Sequence, residues 1–424
     1  MNMFLDAQLT LFINDSDHPE LKEGQPVFYL ETPARQILFE EPTGFMNEHY
    51  VHSASTASLH TWSKAAYALK SWFQYLQAIR REWLTASEQE RRDYRDAYLS
   101  SISPKTGKLY GPDGVRDAMV VVRAFYEYCS KSGIYQGDIG GHLYVEESRV
   151  PTDHGGFEHT TRLALTRMKD RALPKARPSG KIHPLRVVDL RNLLRHIGPQ
   201  AAERQGDERS SRDRLVIDLG WAVGLRLDEI NSLTTLQFLS LCPDPATPFV
   251  SMSLTIHHGK GNKTRQVAIP TWLVMDAIAY IEGERAESLR SCKVKSRCSS
   301  HRLLLAHITS RSCGKPVTNG ALQKMVRKAC FELGLVDIVK KKDPMTGEVF
   351  LDKVPKHSIH DLRHSYAVLT YHAERLNGNP EPWKKIQAQL GHENLKTTIS
   401  TYLRYVEIFN DQPGMTDVRR MLGL

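Results

Sequence analysis

The chain has 424 residues, 41% hydrophobic and 25% charged, ordinary values for a water-soluble globular chain of roughly two to three domains. Its formal net charge of +9 fits a nucleic-acid partner. The absence of a run of 18 apolar residues argues against a helical membrane span, and the acid-bearing start "MNMFLDAQLTLFINDSD" argues against a signal peptide.

Residues 1–50 carry prolines at 19, 26, 33 and 42 and read as an irregular arm with one short strand at "VFYLE". Helical patterning begins at Thr61. In "TWSKAAYALKSWFQYLQAI", Trp62, Ala66, Leu69, Phe73 and Leu76 recur at spacings of three and four. "SEQERRDYRDAYLSS" and "GPDGVRDAMVVVRAFYEYCSKSGI" are further helices, so residues 51–135 form a small helical domain. Residues 136–183 mix Gly, Pro and basic residues as a linker would.

The chain regains order after Pro184 in a domain expected over 184–410. "LRVVDLRNLLRHI" and "SRDRLVIDLGWAVGL" read as helices. "SMSLTIHH", "GKGN" and "KTRQVAI" read as strand, turn and strand. "TWLVMDAIAYIEG" and "GALQKMVRKACFELGL" are amphipathic helices. Residues 285–315 and 337–355 look like surface insertions. Three helices close the domain, from His360, over "EPWKKIQAQL" and over "LKTTISTYLRYVEIF". The expected class is mainly α with a small antiparallel sheet (α+β). The tail 411–424 holds a short amphipathic helix with Val418, Met421 and Leu422 on one side.

The six cysteines (Cys129, Cys242, Cys292, Cys298, Cys313, Cys330) are scattered, which suits a reducing cytosol. Cys292, Cys298 and His301 stand close together, but C-x5-C-x2-H is not a zinc spacing.

The stretch "SIHDLRHSYAVL" (358–369) holds more chemistry. Ser358 and Asp361 have capping-box spacing, which makes Ser358 the N-cap and puts His360 in the first turn. A first-turn histidine, Arg363 and free backbone N–H groups make an anion site. Leu362, Tyr366, Leu369 and Leu376 form the expected buried stripe, with His360, Arg363, Ala367 and Thr370 on another face. The metal alternative treats HDLRH as a variant of H-E-x-x-H. Against it, aspartate is a shorter base than glutamate, Arg363 puts positive charge between the ligands, and no glycine-bearing third-ligand motif follows.

Other segments bear on the choice. In "AVGLRLDEI", Arg226 lies among apolar residues and needs a partner, with Glu229 three residues on. Lys260 sits between two glycines at the hairpin tip. In "QLGHENLKTTISTYLRY", His392 follows a helix ended by Gly391, and Tyr402 comes ten residues later. Alone, each has a bland reading: an ion pair, a solvated lysine, a core tyrosine.

In this order, G-L-R-x-x-E, G-K-G-N, H-D-L-R-H, L-G-H and Tyr resemble the tyrosine recombinase, or phage integrase, family. The resemblance is strong over residues 215–405. Over 51–135 it extends only to helical character, where the family has a core-DNA-binding domain that clamps DNA together with the catalytic one. It implies that Arg226 and Arg363 hold the non-bridging oxygens of a scissile phosphate. It implies further that Lys260 protonates the departing 5′ oxygen and that His360 takes or orients the tyrosine proton. His392 would donate a hydrogen bond to the phosphate, Glu229 would support Arg226, and His364 would serve as a supporting or DNA-backbone residue. Tyr402 would attack phosphorus, with Tyr405 a distant second choice. No cofactor, metal or ATP is implied.

The implied partners are double-stranded DNA and further copies of the chain, two per site and four in a synapse, with accessory proteins and no membrane. The implied setting is a mobile element in the cytoplasm, associated with the nucleoid, with the tail docking on a neighbouring protomer. Three other readings are a non-catalytic DNA-binding protein on the same fold, a type IB topoisomerase-like activity and a metallohydrolase built on HDLRH.

Overall fold

A computed structural model describes residues 3–15, 20–53, 58–104, 107–141, 144–146, 167–175, 182–257, 264–292, 301–343 and 345–409. Two compact units emerge, residues 1–180 (with the short stretch 344–347) and residues 181–343 with 348–424.

The first unit opens with α1 (Met3–Asp6), β1 (Gln8–Ile13), β2 (Pro26–Glu31), β3 (Gln36–Leu38) and α2 (Glu40–Met46). The strands make one antiparallel sheet in the order β1-β2-β3, with Gln8 opposite Glu31 and Tyr29 opposite Leu38. This corrects the expectation of an irregular arm. Three of the four prolines that suggested it sit where regular structure tolerates them, and Pro19 lies outside the described residues. Pro26 is the first residue of its strand, Pro33 lies in the hairpin turn, and Pro42 is in the first turn of α2.

Helices α3 (Leu59–Ala78), α4 (Glu88–Ser100) and α5 (Pro112–Lys131) follow. Ser58 caps α3, a Ser87–Glu90 capping box starts α4, and a proline at the first position starts α5. Phe28 and Phe45 from the N-terminal segment share one core with Trp72, Phe73, Phe125 and Tyr126. The linker expected over 136–183 also contributes: Ile139 and Ala172 join this core, and Asp170 forms an enclosed ion pair with Arg91 at 2.5 Å. A short pair, β4 (Tyr144–Glu146) and β5 (Arg167–Lys169), lies in the same stretch.

The second unit contains α6 (Val187–Ile197), α7 (Ser211–Ala222), α8 (Leu227–Ser232), α9 (Thr235–Leu239), β6 (Ser251–Ile256), β7 (Arg265–Pro270), α10 (Thr271–Tyr280) and α11 (Ala286–Arg290). It continues with α12 (Asn319–Glu332), β8 (Val336–Lys342), β9 (Val349–Pro355), α13 (Ile359–Leu376), α14 (Pro382–Leu390) and α15 (Leu395–Phe409). Strands β6 and β7 pair as the alternating pattern predicts, from Ser251 opposite Pro270 to Ile256 opposite Arg265. The insertion at 337–355 is a second antiparallel hairpin, β8–β9. The chain is mainly helical with small antiparallel sheets, as expected.

Helix α7 is enclosed on all sides and packs against α13, which in turn packs against α14 and α15. Gln389 of α14 binds the Ala268 N–H and C=O of β7 (2.9 and 2.8 Å) and the Val223 carbonyl after α7 (3.0 Å). One amide side chain thereby fixes three elements relative to each other. The tail 411–424, with its expected helix, and the hairpin tip with Lys260 lie outside the described residues.

The core of this unit also encloses Asp218 and Asp276. Asp218 takes bonds from Arg214 and the Trp221 indole, while Asp276 accepts the Ala202 N–H at 3.1 Å on Oδ1, and its Oδ2 has no partner among the described residues. Burial, reinforced by neighbouring Asp218, pushes the Asp276 carboxyl up to about 7. Its folded pKa exceeds its unfolded one, so the folded state binds the extra proton and stability falls as pH rises from about 4 to about 7. Asp276→Asn keeps the Oδ1 acceptor and should flatten that decline, gaining on the order of 4 kcal/mol at pH 8 relative to the wild type. Denaturant titrations at several pH values check this; an unchanged slope between pH 4 and 7 contradicts it.

Candidate active site

Arg226 is the N-cap of α8, and Glu229 is its N3 residue. Glu229 accepts the Arg226 backbone N–H at 2.9 Å and its Nη1 at 2.8 Å, so local helix capping aims this arginine. The carboxylate is only 1% exposed. It also receives both Nη groups of Arg265, at 2.6 and 2.9 Å. Burial alone would raise its pKa, but the bonds from Arg265 and Arg226 dominate and hold it at about 2.

Arg363 is in the first turns of α13, and only 2% of its surface is exposed. It donates to the carbonyls of Gly224 (2.5 Å) and Leu390 (2.6 Å) and stands 4.0 Å from Glu229. Burial and then the nearby charge of Arg226 lower its pKa to about 10, so it stays cationic at neutral pH. Gly224 presents its carbonyl from a left-handed conformation, φ +76°, and a Cβ there would lie 2.7 Å from the Tyr366 ring. The glycine of the G-L-R motif is therefore part of the arginine's seat.

Asp361 caps Ser358 as the spacing predicted, accepting its N–H at 2.8 Å and its hydroxyl at 2.7 Å. Helix α13 is less amphipathic than expected. Ile359 and residues 362–369 are all buried, whereas Leu376, expected in the buried stripe, is half exposed. The helix packs against α7, α14 and α15, and its burial extends over more than one face.

Tyr402 on α15 is almost fully enclosed, among Tyr366, Ile386 and Leu390. Its hydroxyl lies 3.0 Å from His364 Nδ1. This differs from the expected assignment: His364, not His360, is in contact with the tyrosine. His360 lies at the surface with its ring edge-on to His364, 4.7 Å between centroids. The two histidines differ by one turn, and only the path of α15 decides which one meets the hydroxyl. Burial, opposed by Arg363 and Arg226, raises the Tyr402 hydroxyl to about 12. Burial, then neighbouring His360, lowers His364 to about 4, so at neutral pH a neutral imidazole faces a protonated phenol.

His392 follows the left-handed Gly391 that ends α14. Its Nδ1 lies 2.9 Å from Thr398 Oγ1, and its Nε2 lies 3.4 Å from Arg363 Nη2. An arginine only donates, so Nε2 is the acceptor and Nδ1–H donates to Thr398. Burial and Arg363 lower the His392 pKa to about 4. Its ring is parallel to that of Tyr402, with centroids 6.4 Å apart.

The described residues thus bring Arg226, Glu229, Arg363, His364, His392 and Tyr402 into one connected cluster with His360 at its edge. Arg265 belongs to this cluster, although in the sequence "KTRQVAI" signals only a strand. Among the described residues no group of three His, Cys, Asp or Glu side chains could hold a metal ion.

Residues 199–407 match the model of the phage integrase family. Through that segment the chain belongs to the phage integrase family of tyrosine recombinases. No curated protein matches the chain in sequence. Solved structures are similar at low identity. XerA recombinase is 14% identical, covering 88% of this chain and 100% of its own, with a TM-score of 0.33. A lambda integrase (75–356) dimer bound to a COC′ core site is 13% identical, covering 85% and 94%, with a TM-score of 0.44. The integrase from mycobacterium phage Brujita is 14% identical, covering 91% and 98%, with a TM-score of 0.28.

If Gly224 is the seat of Arg363, Gly224→Ala should destabilise the chain by about 1–3 kcal/mol through its left-handed φ alone, with more from the clash at Tyr366. Thermal melting against the wild type tests this, and an unchanged melting temperature contradicts it.

Proposed function

We propose that the chain breaks and rejoins double-stranded DNA at specific sites, with Tyr402 as the nucleophile. One observation carries this reading: a tyrosine hydroxyl held by a neutral imidazole inside a cluster of cationic guanidinium groups. A phosphodiester in line with Tyr402 Oη would set its non-bridging oxygens against Arg226 and Arg363. Each guanidinium has five N–H donors. Protein partners take one side-chain donor of Arg226 and at least two of Arg363, so donors remain for an anion.

As the Oη–P bond forms, the tyrosine proton passes to His364 Nδ1. The P–O5′ bond breaks, and the leaving oxygen takes a proton from Lys260. Negative charge accumulates on the equatorial oxygens, and fixed cations stabilise it without reorganising. A bound phosphate anion also favours the imidazolium, opposing the burial and the neighbouring His360 and Arg363 that keep His364 a weak base. The product is a 3′-phosphotyrosyl link and a free 5′-hydroxyl. Because the link retains the bond energy, rejoining to another 5′-hydroxyl needs no ATP. His392, whose Nε2 accepts from Arg363, would orient that arginine; in the other tautomer, with the Thr398 hydroxyl donating to Nδ1, its Nε2–H would donate to the phosphate.

Exchange between two duplexes breaks four strands, each requiring one tyrosine, which gives two protomers per site and four in a synapse. The net charge of +9 suits a DNA partner. Integration or excision of a mobile element is the setting this chemistry serves.

The test is covalent capture of a nicked duplex from a randomised library, in EDTA. Wild type should trap an adduct, and Tyr402→Phe should bind DNA without trapping it. His364→Asn, whose Oδ1 can replace Nδ1 as acceptor but cannot take the proton, should trap roughly 10²–10⁴ times more slowly. An adduct with Tyr402→Phe, or wild-type rates with His364→Asn, would contradict these roles.

A further inference from the structure

Glu229 sits at the centre of the cationic cluster, and its surroundings raise a problem that the catalytic roles leave unanswered. A buried carboxylate attracts every nearby cation. Arg226 and Arg363 serve a phosphate only if Glu229 does not take up their donors.

A carboxylate has about four lone-pair sites. On Glu229, Oε1 holds Arg226 Nη1 (2.8 Å) and Arg265 Nη1 (2.6 Å), and Oε2 holds the Arg226 backbone N–H (2.9 Å) and Arg265 Nη2 (2.9 Å). All four are filled, two of them by Arg265. Arg363 Nη1 therefore stays at 4.0 Å, outside hydrogen-bond range, and bonds two carbonyls instead. The side chain of Arg265 is not placed to satisfy itself, since its buried Nε has no partner among the described residues. Its stem also lies against the turn that leads to His392. A Cβ on Gly391, which has φ +64°, would come 2.8 Å from Arg265 Cδ.

We infer that Arg265 is a positioning residue that saturates Glu229, so that Arg226 and Arg363 keep their remaining donors for the phosphodiester anion. This rests on the function proposed above. Arg265 opens β7, so the strand that follows the Lys260 hairpin tip also sets the state of the arginine pair. When Arg265 is lost, two lone pairs of an enclosed carboxylate open, and the nearest cations, Arg226 and Arg363, turn inward to fill them.

The inference separates from a simple hairpin-anchoring role by its dependence on the charge of Glu229. With a nicked duplex first selected by wild-type capture, Arg265→Ala should lower the rate of adduct formation by about 10²-fold at saturating DNA. DNA affinity should change less than about threefold. Arg265→Lys, a point charge without the fork, should fall between wild type and alanine. Adding Glu229→Gln removes the charge that recruits the arginines, so Arg265→Ala/Glu229→Gln should be faster than Arg265→Ala alone. The result that overturns the inference is a double variant as slow as the product of the two single effects, or Arg265→Ala at the wild-type rate. If thermal melting shows Arg265→Ala unfolded, the same comparison is made in the Arg265→Lys background. Failure of wild type to capture any duplex, or capture by Tyr402→Phe, would sink the proposed function instead.

Discussion

The carboxylate of Glu229, enclosed and shared among arginines, is the constraint on which the rest of the site depends. A buried charge is tolerated only when paired and fully hydrogen-bonded. Meeting that requirement ties the start of α8 to the start of β7 and draws the beginning of α13 close. The same contacts leave Arg226 and Arg363 side by side, a costly arrangement of like charges that burial makes worse. The lowered pKa of Arg363 registers that cost. A phosphate anion would relieve it, and this is the physical reason to expect one there.

The proposed nucleophile is held in reserve by the same physics. At neutral pH Tyr402 keeps its proton, and His364 is too weak a base to remove it unaided. Burial sets both conditions; the neighbouring cations help to keep the imidazole neutral but favour the phenolate. An arriving anion would raise the basicity of the imidazole, so that the phenol proton has an acceptor only when the anion is present. Such a site would become reactive only when loaded with its substrate.

Much of this was legible in the sequence, because caps and short motifs are local. Ser358 and Asp361, and Arg226 and Glu229, are pairs three apart whose contact is dictated by the first turn of a helix. The fold class and the β6–β7 hairpin followed from periodicity in the same way. What escaped was non-local. Arg265 and Glu229 are 36 residues apart, and no periodicity links them. Which of His360 and His364 meets Tyr402 depends on how α15 crosses α13. In the first unit, prolines obscured a three-stranded sheet, because their positions at a strand start, a turn and a helix start can be judged only once pairing is known.

The most direct test of the account is to locate the covalent bond. The adduct formed on a nicked duplex would be digested with nuclease and protease, and the nucleotide-bearing peptide sequenced by mass spectrometry. The account predicts a nucleotide joined through its 3′-phosphate to the phenolic oxygen of Tyr402. Attachment at Tyr405, at a histidine, or through a 5′-phosphate would contradict it.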